Sequence, residues 1–196
     1  MYSRPHPARC GRGSRLSFDV EPKLICLIGA ECTGKTTLAQ ALAQHMGGLW
    51  VPEYLRSFTE QNGRTPQRAE QAHILQEQVR QETAALAAAR HQRQPLVFCD
   101  TVPLLTATYS DVVFSDTSLY PQAHGLHARY ALTLLLEPDF PWVVDGLQRD
   151  GMQWRTRVHV CIERALADGA WPHVRIAGTP EQRLAQACDA VASAVR

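Results

Sequence analysis

The segment from Gly29 to Thr36 reads Gly-Ala-Glu-Cys-Thr-Gly-Lys-Thr and fits the pattern G-x-x-x-x-G-K-[ST]. Glycines at these positions let successive backbone N–H groups point at phosphate oxygens, and the lysine neutralises the β- and γ-phosphates. We therefore predict a site for ATP and Mg²⁺ in which Lys35 is catalytic and Thr36 is a metal ligand. The alternative is a chance glycine turn. The residues predicted to contact the nucleotide are Gly29, Glu31, Cys32, Thr33, Gly34, Lys35, Thr36 and Thr37.

Two acidic residues each end a predicted strand. Asp100 ends the apolar run Leu96–Asp100, where a carboxylate would face the ligand crevice of a parallel sheet. We expect Asp100 to be catalytic and to hold Mg²⁺ directly or through water, the alternative being a cap of the following helix. Glu53 ends a second strand candidate and could take the proton from an attacking hydroxyl. Arg56 would lie one helical turn further on, where it could orient Glu53 or form an ordinary surface pair with it.

A segment rich in glycine and charge, residues 142–151, follows the fourth predicted strand. This composition is typical of a lid that closes over the phosphates and excludes water. We expect Arg149 to be catalytic, stabilising charge on the transferred phosphoryl group, and consider the same role for Arg155. For both arginines the alternative is a solvated charge at the start of a helix.

From Lys23 onward, runs of strand length alternate with helix-like segments. This alternation implies a parallel sheet covered on both faces. We predict an α/β, P-loop NTPase/nucleoside-kinase-like three-layer fold with about five parallel strands over residues 23–196. Residues 1–22 carry four arginines and no acid before Asp19, which predicts a disordered basic leader or, alternatively, a transit peptide. The predicted strands are Leu24–Gly29, Leu49–Glu53, Leu96–Asp100, Leu132–Glu137 and Val174–Ala177, and the predicted helices include Gly34–Met46, Pro66–His91 after an N-cap at Thr65, and one beginning at Thr179-Pro180.

The composition of the chain limits the classes of partner that it is expected to bind. The chain has 196 residues and a formal net charge of +1, so it is not a polycation that binds nucleic acid or membrane surfaces. No apolar run approaches the roughly 20 residues that a membrane span needs. The six cysteines show no C-x-x-C pair and no zinc spacing, which favours a reduced cytoplasmic protein. We expect a small-molecule substrate, no nucleic-acid partner and no membrane insertion; the sequence does not indicate an oligomeric state.

The chain resembles the nicotinamide riboside kinase domain of the NadR family. The resemblance covers residues 24–196 and rests on four motifs in order: Gly29–Thr37, Pro52-Glu-Tyr-Leu-Arg56, Phe98-Cys-Asp-Thr101 and Pro141-Trp-Val-Val-Asp-Gly146. The chain departs from the family pattern at Val102, where a second acid is common, and at Arg149, which lies one place later than usual.

The resemblance implies transfer of the ATP γ-phosphate to the ribose 5′-hydroxyl of nicotinamide riboside, giving nicotinamide mononucleotide. It implies that Glu53, Tyr54, Arg56, Asp100 and Asp145 bind the acceptor. We expect no counterpart of the family's adenylyltransferase domain, and we therefore expect adenylylation to be left to another enzyme. The alternatives are a kinase of the same architecture for another nucleoside or small alcohol, and a nucleotide-dependent regulatory ATPase or switch.

Which aromatic residue stacks on the acceptor ring is open among Trp50, Tyr54 and Tyr109. The long polar helix after Pro66 could lend Gln76 to the acceptor pocket, or its polar face could be solvated.

Overall fold

The computed structural model of the protein describes residues 21–140 and 152–196. These residues form five strands: β1 (Lys23–Ile28), β2 (Leu49–Val51), β3 (Leu96–Asp100), β4 (Tyr130–Leu136) and β5 (Val174–Ile176). Their α-helices are α1 (Lys35–Met46), α2 (Tyr54–Asn62), α3 (Gln71–Gln92), α4 (Pro103–Phe114), α5 (Tyr120–His127), α6 (Met152–Asp168) and α7 (Pro180–Ala194), and a short 3-10 helix spans Arg68–Glu70. None of these helices is both long enough and apolar enough to cross a membrane.

All strand pairs are parallel, in the order β2-β3-β1-β4-β5. Successive side chains of β1 point to opposite faces of the sheet, and both faces are covered. Ile25 and Leu27 pack with α1 and α7 on one face. Leu24 and Cys26 pack with α3, α4 and α6 on the other. The predicted three-layer α/β fold is confirmed.

Several predicted boundaries were wrong. The strand predicted for Leu49–Glu53 ends at Val51, since Pro52 has no N–H to donate to the ladder, and Glu53 instead precedes α2 as its N-cap residue. The ends of β1, β4 and β5 differ from the predictions by one or two residues, and α1 begins one residue after Gly34.

The helix predicted to begin at Pro66 after a Thr65 cap begins instead at Gln71. Glu70 accepts a hydrogen bond from the backbone N–H of Gln67 at 2.7 Å, which completes a capping box around the 3-10 turn. The leader predicted for residues 1–22 lies outside the described residues except for its last two positions. The predicted lid, residues 142–151, lies wholly outside them.

Candidate active site

Two glycines are required by the loop that joins β1 to α1. Gly34 has a φ of 80°, in the left-handed region, and a Cβ there would lie 3.0 Å from the Phe140 ring. A Cβ on Gly29 would lie 2.8 Å from the Thr33 hydroxyl and 2.9 Å from the carbonyl oxygen of Leu136. The loop is thus a tight turn that opens onto the N-terminus of α1, a favourable place for phosphate.

The loop's functional side chains meet the end of β3. Because β1 and β3 are parallel neighbours, with Leu27 opposite Asp100, their carboxyl ends lie at the same edge of the sheet. The Thr36 hydroxyl donates to Asp100 Oδ2 at 2.5 Å, and Lys35 Nζ lies across the loop and donates to the Ala30 carbonyl at 2.9 Å. Lysine and threonine therefore lie where a triphosphate and its cation would bind.

Asp100 is buried, 1% exposed, and its Oδ1 has no hydrogen-bond partner within the described parts of the chain. The helix-cap alternative for Asp100 is wrong, because the N-cap residue of α4 is Val102. Within the described ranges no three His, Cys, Asp or Glu side chains converge as metal ligands. Mg²⁺ is commonly held by one or two protein oxygens together with substrate phosphates and water, and the Thr36–Asp100 pair fits that pattern.

Glu53 lies close to this centre and largely out of solvent, with its side chain 15% exposed. Burial raises the pKa of Glu53 above its usual value; Lys35 opposes the rise, Asp100 adds to it and Arg56 opposes it. The Thr101 hydroxyl also opposes the rise in the pKa of Glu53, although it has no hydrogen-bond partner among the described residues. Arg56 Nε lies 3.5 Å from Glu53 Oε2, and its side chain is 57% exposed. Arg56 is therefore exposed, as in an ordinary surface pair, but Glu53 is not.

A small cavity, partly open to solvent, adjoins Glu53. Residues just after β2 and β3, together with helices α2, α3 and α4, form its wall. Among the residues that the structure describes, no lysine or arginine lines it. The lining residues are Glu53, Leu55, Gln71, Ile74, Gln78, Thr101, Thr106 and Tyr109.

Of the aromatic candidates for stacking, only Tyr109 lines this cavity. Trp50 packs on the opposite face of the sheet, with α1 and α7. The Tyr54 hydroxyl lies 3.3 Å from the Nε2 of His73, outside the cavity wall. Gln76 is exposed, so the amide that α3 contributes to the cavity is Gln78 and not Gln76.

Tyr109 connects the cavity to the glycine loop, a contact that the sequence did not predict. Its hydroxyl donates to Glu31 Oε1, and Glu31 Oε2 is buried without a hydrogen-bond partner among the described residues. Burial, and then the Glu31 and Glu53 carboxylates, raise the pKa of Tyr109 well above its usual value. Glu31 therefore points its carboxylate toward the cavity side of the loop.

Two buried arginines support the glycine loop from behind. Arg183, on α7, is 2% exposed and donates to the carbonyl oxygens of Thr33 at 3.1 Å and of Glu137 at 2.9 Å. Its guanidinium also lies over the Phe140 ring at 4.2 Å. Arg155 is 4% exposed and donates to the Phe140 carbonyl at 2.8 Å. The alternative of a solvated charge is therefore wrong for Arg155, and its catalytic role stays a prediction.

The structure thus brings Lys35, Thr36, Asp100 and Glu53 together, with Arg56 at the exposed rim. Asp145 and Arg149 lie outside the described residues. The sequence analysis did not predict the buried polar residues of α3, which are Gln71, Gln78 and Glu82. They repeat at helical spacing on the face that carries the apolar Ile74 and Leu75. That periodicity was the available signal.

A parallel sheet with this glycine loop and a strand-end aspartate defines a P-loop nucleotide-binding domain. The chain belongs to the AAA domain family, which matches residues 24–183. No curated protein matches it.

Solved structures with the same fold include NadR protein in complex with NR, at 24% identity and a TM-score of 0.75, covering 89% of this chain and 52% of that one. NadR protein in complex with NAD and AMP-PNP is similar at 23% identity and a TM-score of 0.74, over 89% and 50% of the two chains. A thymidylate kinase from Ehrlichia chaffeensis follows at 15% identity and a TM-score of 0.62, over 88% and 98%. The chain spans about half the length of the NadR chains, and at these identities the likeness establishes the fold, that of P-loop nucleoside and nucleotide kinases.

Proposed function

We propose that this domain transfers the γ-phosphate of ATP to the ribose 5′-hydroxyl of nicotinamide riboside, giving nicotinamide mononucleotide and ADP. The observation that carries the proposal is the position of Glu53, which lines a cavity partly open to solvent while lying within electrostatic reach of Lys35 and Asp100. A regulatory ATPase needs a residue that orients the attacking water, but it needs no cavity for an acceptor beside that residue. The arrangement therefore supports a kinase over a switch.

In the proposed reaction, Lys35 leaves the Ala30 carbonyl and binds the β- and γ-phosphates. Thr36 and Asp100 would hold Mg²⁺, which, when bound, neutralises charge on the phosphates. The 5′-oxygen bonds to the γ-phosphorus, and the bond from that phosphorus to the β–γ bridging oxygen breaks. The hydroxyl proton passes to Glu53, whose burial raises its pKa and so makes it a better proton acceptor.

The charges around the cavity favour a nucleoside over a nucleoside monophosphate. A phosphorylated acceptor carries negative charge and would need cationic partners, whereas the described residues of the wall include no lysine or arginine. Glu53 lies in the wall, and Glu31 accepts a hydrogen bond from Tyr109, which also lines the cavity. Nicotinamide riboside carries a positive pyridinium ring, so these carboxylates would favour it over neutral nucleosides. The likeness in fold to NadR protein in complex with NR supports the same acceptor.

A competition experiment tests the acceptor. Purified protein receives MgATP and an equimolar mixture of nicotinamide riboside, adenosine, uridine, thymidine and thymidine monophosphate, and the products are resolved by mass spectrometry. We expect nicotinamide mononucleotide as the dominant product. If another nucleoside gave the dominant product, the proposed acceptor would be wrong and the proposed kinase activity would stand. Thymidine diphosphate as the dominant product would overturn the argument from the cavity's charge.

We further propose a cytoplasmic location, as the sequence predicts. No disulfide joins the cysteines in the part of the chain that the structure describes, as is usual in a reducing compartment.

A further inference from the structure

Gln78 holds the two peptide groups on either side of Glu53. Its side chain is buried on α3, 1% exposed, and reaches the junction between β2 and α2. Gln78 Oε1 accepts a hydrogen bond from the backbone N–H of Tyr54 at 2.9 Å, and Nε2 donates to the carbonyl oxygen of Pro52 at 3.4 Å. One amide thus fixes the residue before Glu53 and the residue after it.

The orientation of this amide is set from one turn further along α3. The Glu82 carboxylate is fully buried and accepts hydrogen bonds from Arg129 Nη2 at 3.0 Å and from the Tyr130 hydroxyl at 2.8 Å. The Gln78 amide also approaches this carboxylate and favours its ionised form. With Nε2 facing the oxygens of Pro52 and Glu82, Oε1 is left to accept from Tyr54. Reversing the amide would set its oxygen against two other oxygens.

Besides Gln78, Arg56 holds Glu53: its backbone N–H donates to the Glu53 carbonyl at 3.3 Å, and its exposed Nε lies 3.5 Å from Oε2. β2 ends at Val51 and α2 begins at Tyr54, so Pro52 and Glu53 lie outside regular structure. The Glu53 side chain makes no capping bond to the helix that it precedes, and Pro52 has no N–H to donate. Without Gln78 the Glu53 backbone could rotate, and its carboxylate could turn toward water.

We propose that Gln78 is a positioning residue that fixes Glu53 at the edge of the acceptor cavity, with Glu82 acting through it. This inference rests on the proposed role of Glu53 as the base that receives the acceptor's proton. A misplacement of about 1 Å can reduce a reaction rate by about 100-fold, so a clamp on the base has a measurable consequence.

The test is a double-mutant cycle between Gln78 and Glu53. Gln78→Met keeps the side-chain length and removes both hydrogen bonds; Gln76→Met, on the exposed face of the same helix, is the matched control. With nicotinamide riboside as acceptor, we expect Gln78→Met to lower kcat about 10- to 100-fold, with the KM for ATP within about twofold of wild type. In a Glu53→Gln background the same substitution should have almost no further effect, since its consequence passes through Glu53.

Each outcome tests a separate statement. Wild-type kcat in Gln78→Met, or equal losses in the wild-type and Glu53→Gln backgrounds, would overturn the positioning role. A Glu53→Gln variant with full activity would overturn the proposed base, and a wild-type protein that phosphorylates no acceptor would overturn the proposed function. If Gln78→Met does not fold, Glu82→Gln keeps the packing and should lower kcat in the same direction through the unfixed amide; unchanged kcat there would refute the inference.

Discussion

Replacing Glu53 by glutamine removes the proposed base with almost no change in shape. A general base contributes roughly 10²- to 10⁴-fold to a rate, or about 3 to 5 kcal/mol of activation free energy. We expect a loss in kcat of about 10³-fold, because the site offers no substitute. Asp100 is engaged by Thr36, Glu31 is engaged by Tyr109, and the Glu53 side chain is only 15% exposed.

The assay is steady-state ADP release with varied nicotinamide riboside and varied ATP. The KM for ATP should stay close to that of the wild type, because glutamine leaves Lys35 and Thr36 in place. Glu60→Gln, on the exposed face of α2, is the matched control and should have full activity.

The pH dependence gives a second check on the same residue. Glu53 must be ionised to accept a proton, and burial raises its pKa above the usual value of 4.5. Wild-type kcat/KM should therefore fall, as the pH is lowered, at a pH above that value, and this limb should be missing in Glu53→Gln. Wild-type turnover in Glu53→Gln, or an unchanged acid limb, would refute the reasoning.

Three further substitutions probe the metal pair, the buried carboxylate and the loop support. Asp100→Asn should raise the Mg²⁺ concentration needed for half-maximal activity by about 10- to 100-fold, as a Mg²⁺ titration would show; an unchanged titration would argue against the metal site. Glu82→Gln tests stability: burial raises the pKa of Glu82 to about 7, so the folded state binds a proton that the unfolded chain releases. As the pH rises from about 5 to about 8, the unfolding free energy of the wild type, measured in urea, should fall by about 3 kcal/mol more than that of the variant. An equal fall in the two proteins would contradict this. Arg183→Met leaves the carbonyl oxygens of Thr33 and Glu137 without this donor. It should lower the unfolding free energy by about 3 kcal/mol and raise the KM for ATP. A variant as stable as the wild type would show that the support is dispensable.

Local signals were sufficient for much of the fold. The strand Leu96–Asp100 was predicted residue for residue, because four apolar residues and an aspartate follow Pro95, and all five are buried. The helix after Thr179 was equally clear, since a capping threonine precedes a proline and Gln182 completes a capping box. In these places local propensity and tertiary packing require the same conformation.

Contacts between distant segments could not be predicted in the same way. Glu31 and Tyr109 are far apart in the chain, and no local pattern indicates that they meet. Gln78 and Glu82 recur at the spacing of the buried face of α3, but no local pattern identifies their partners, which lie in α2, in β4 and just before each of them. Arg183 likewise has the composition of a surface residue, and only the assembled sheet encloses it.

The central claim is that the domain is an acceptor-dependent kinase. The most direct test is the rate of ADP release from MgATP by the purified protein, measured with and without nicotinamide riboside. The account predicts slow release alone and strong stimulation by nicotinamide riboside, with nicotinamide mononucleotide formed in equal amount to ADP. Slow hydrolysis that no nucleoside stimulates would contradict the account and favour a nucleotide-dependent switch.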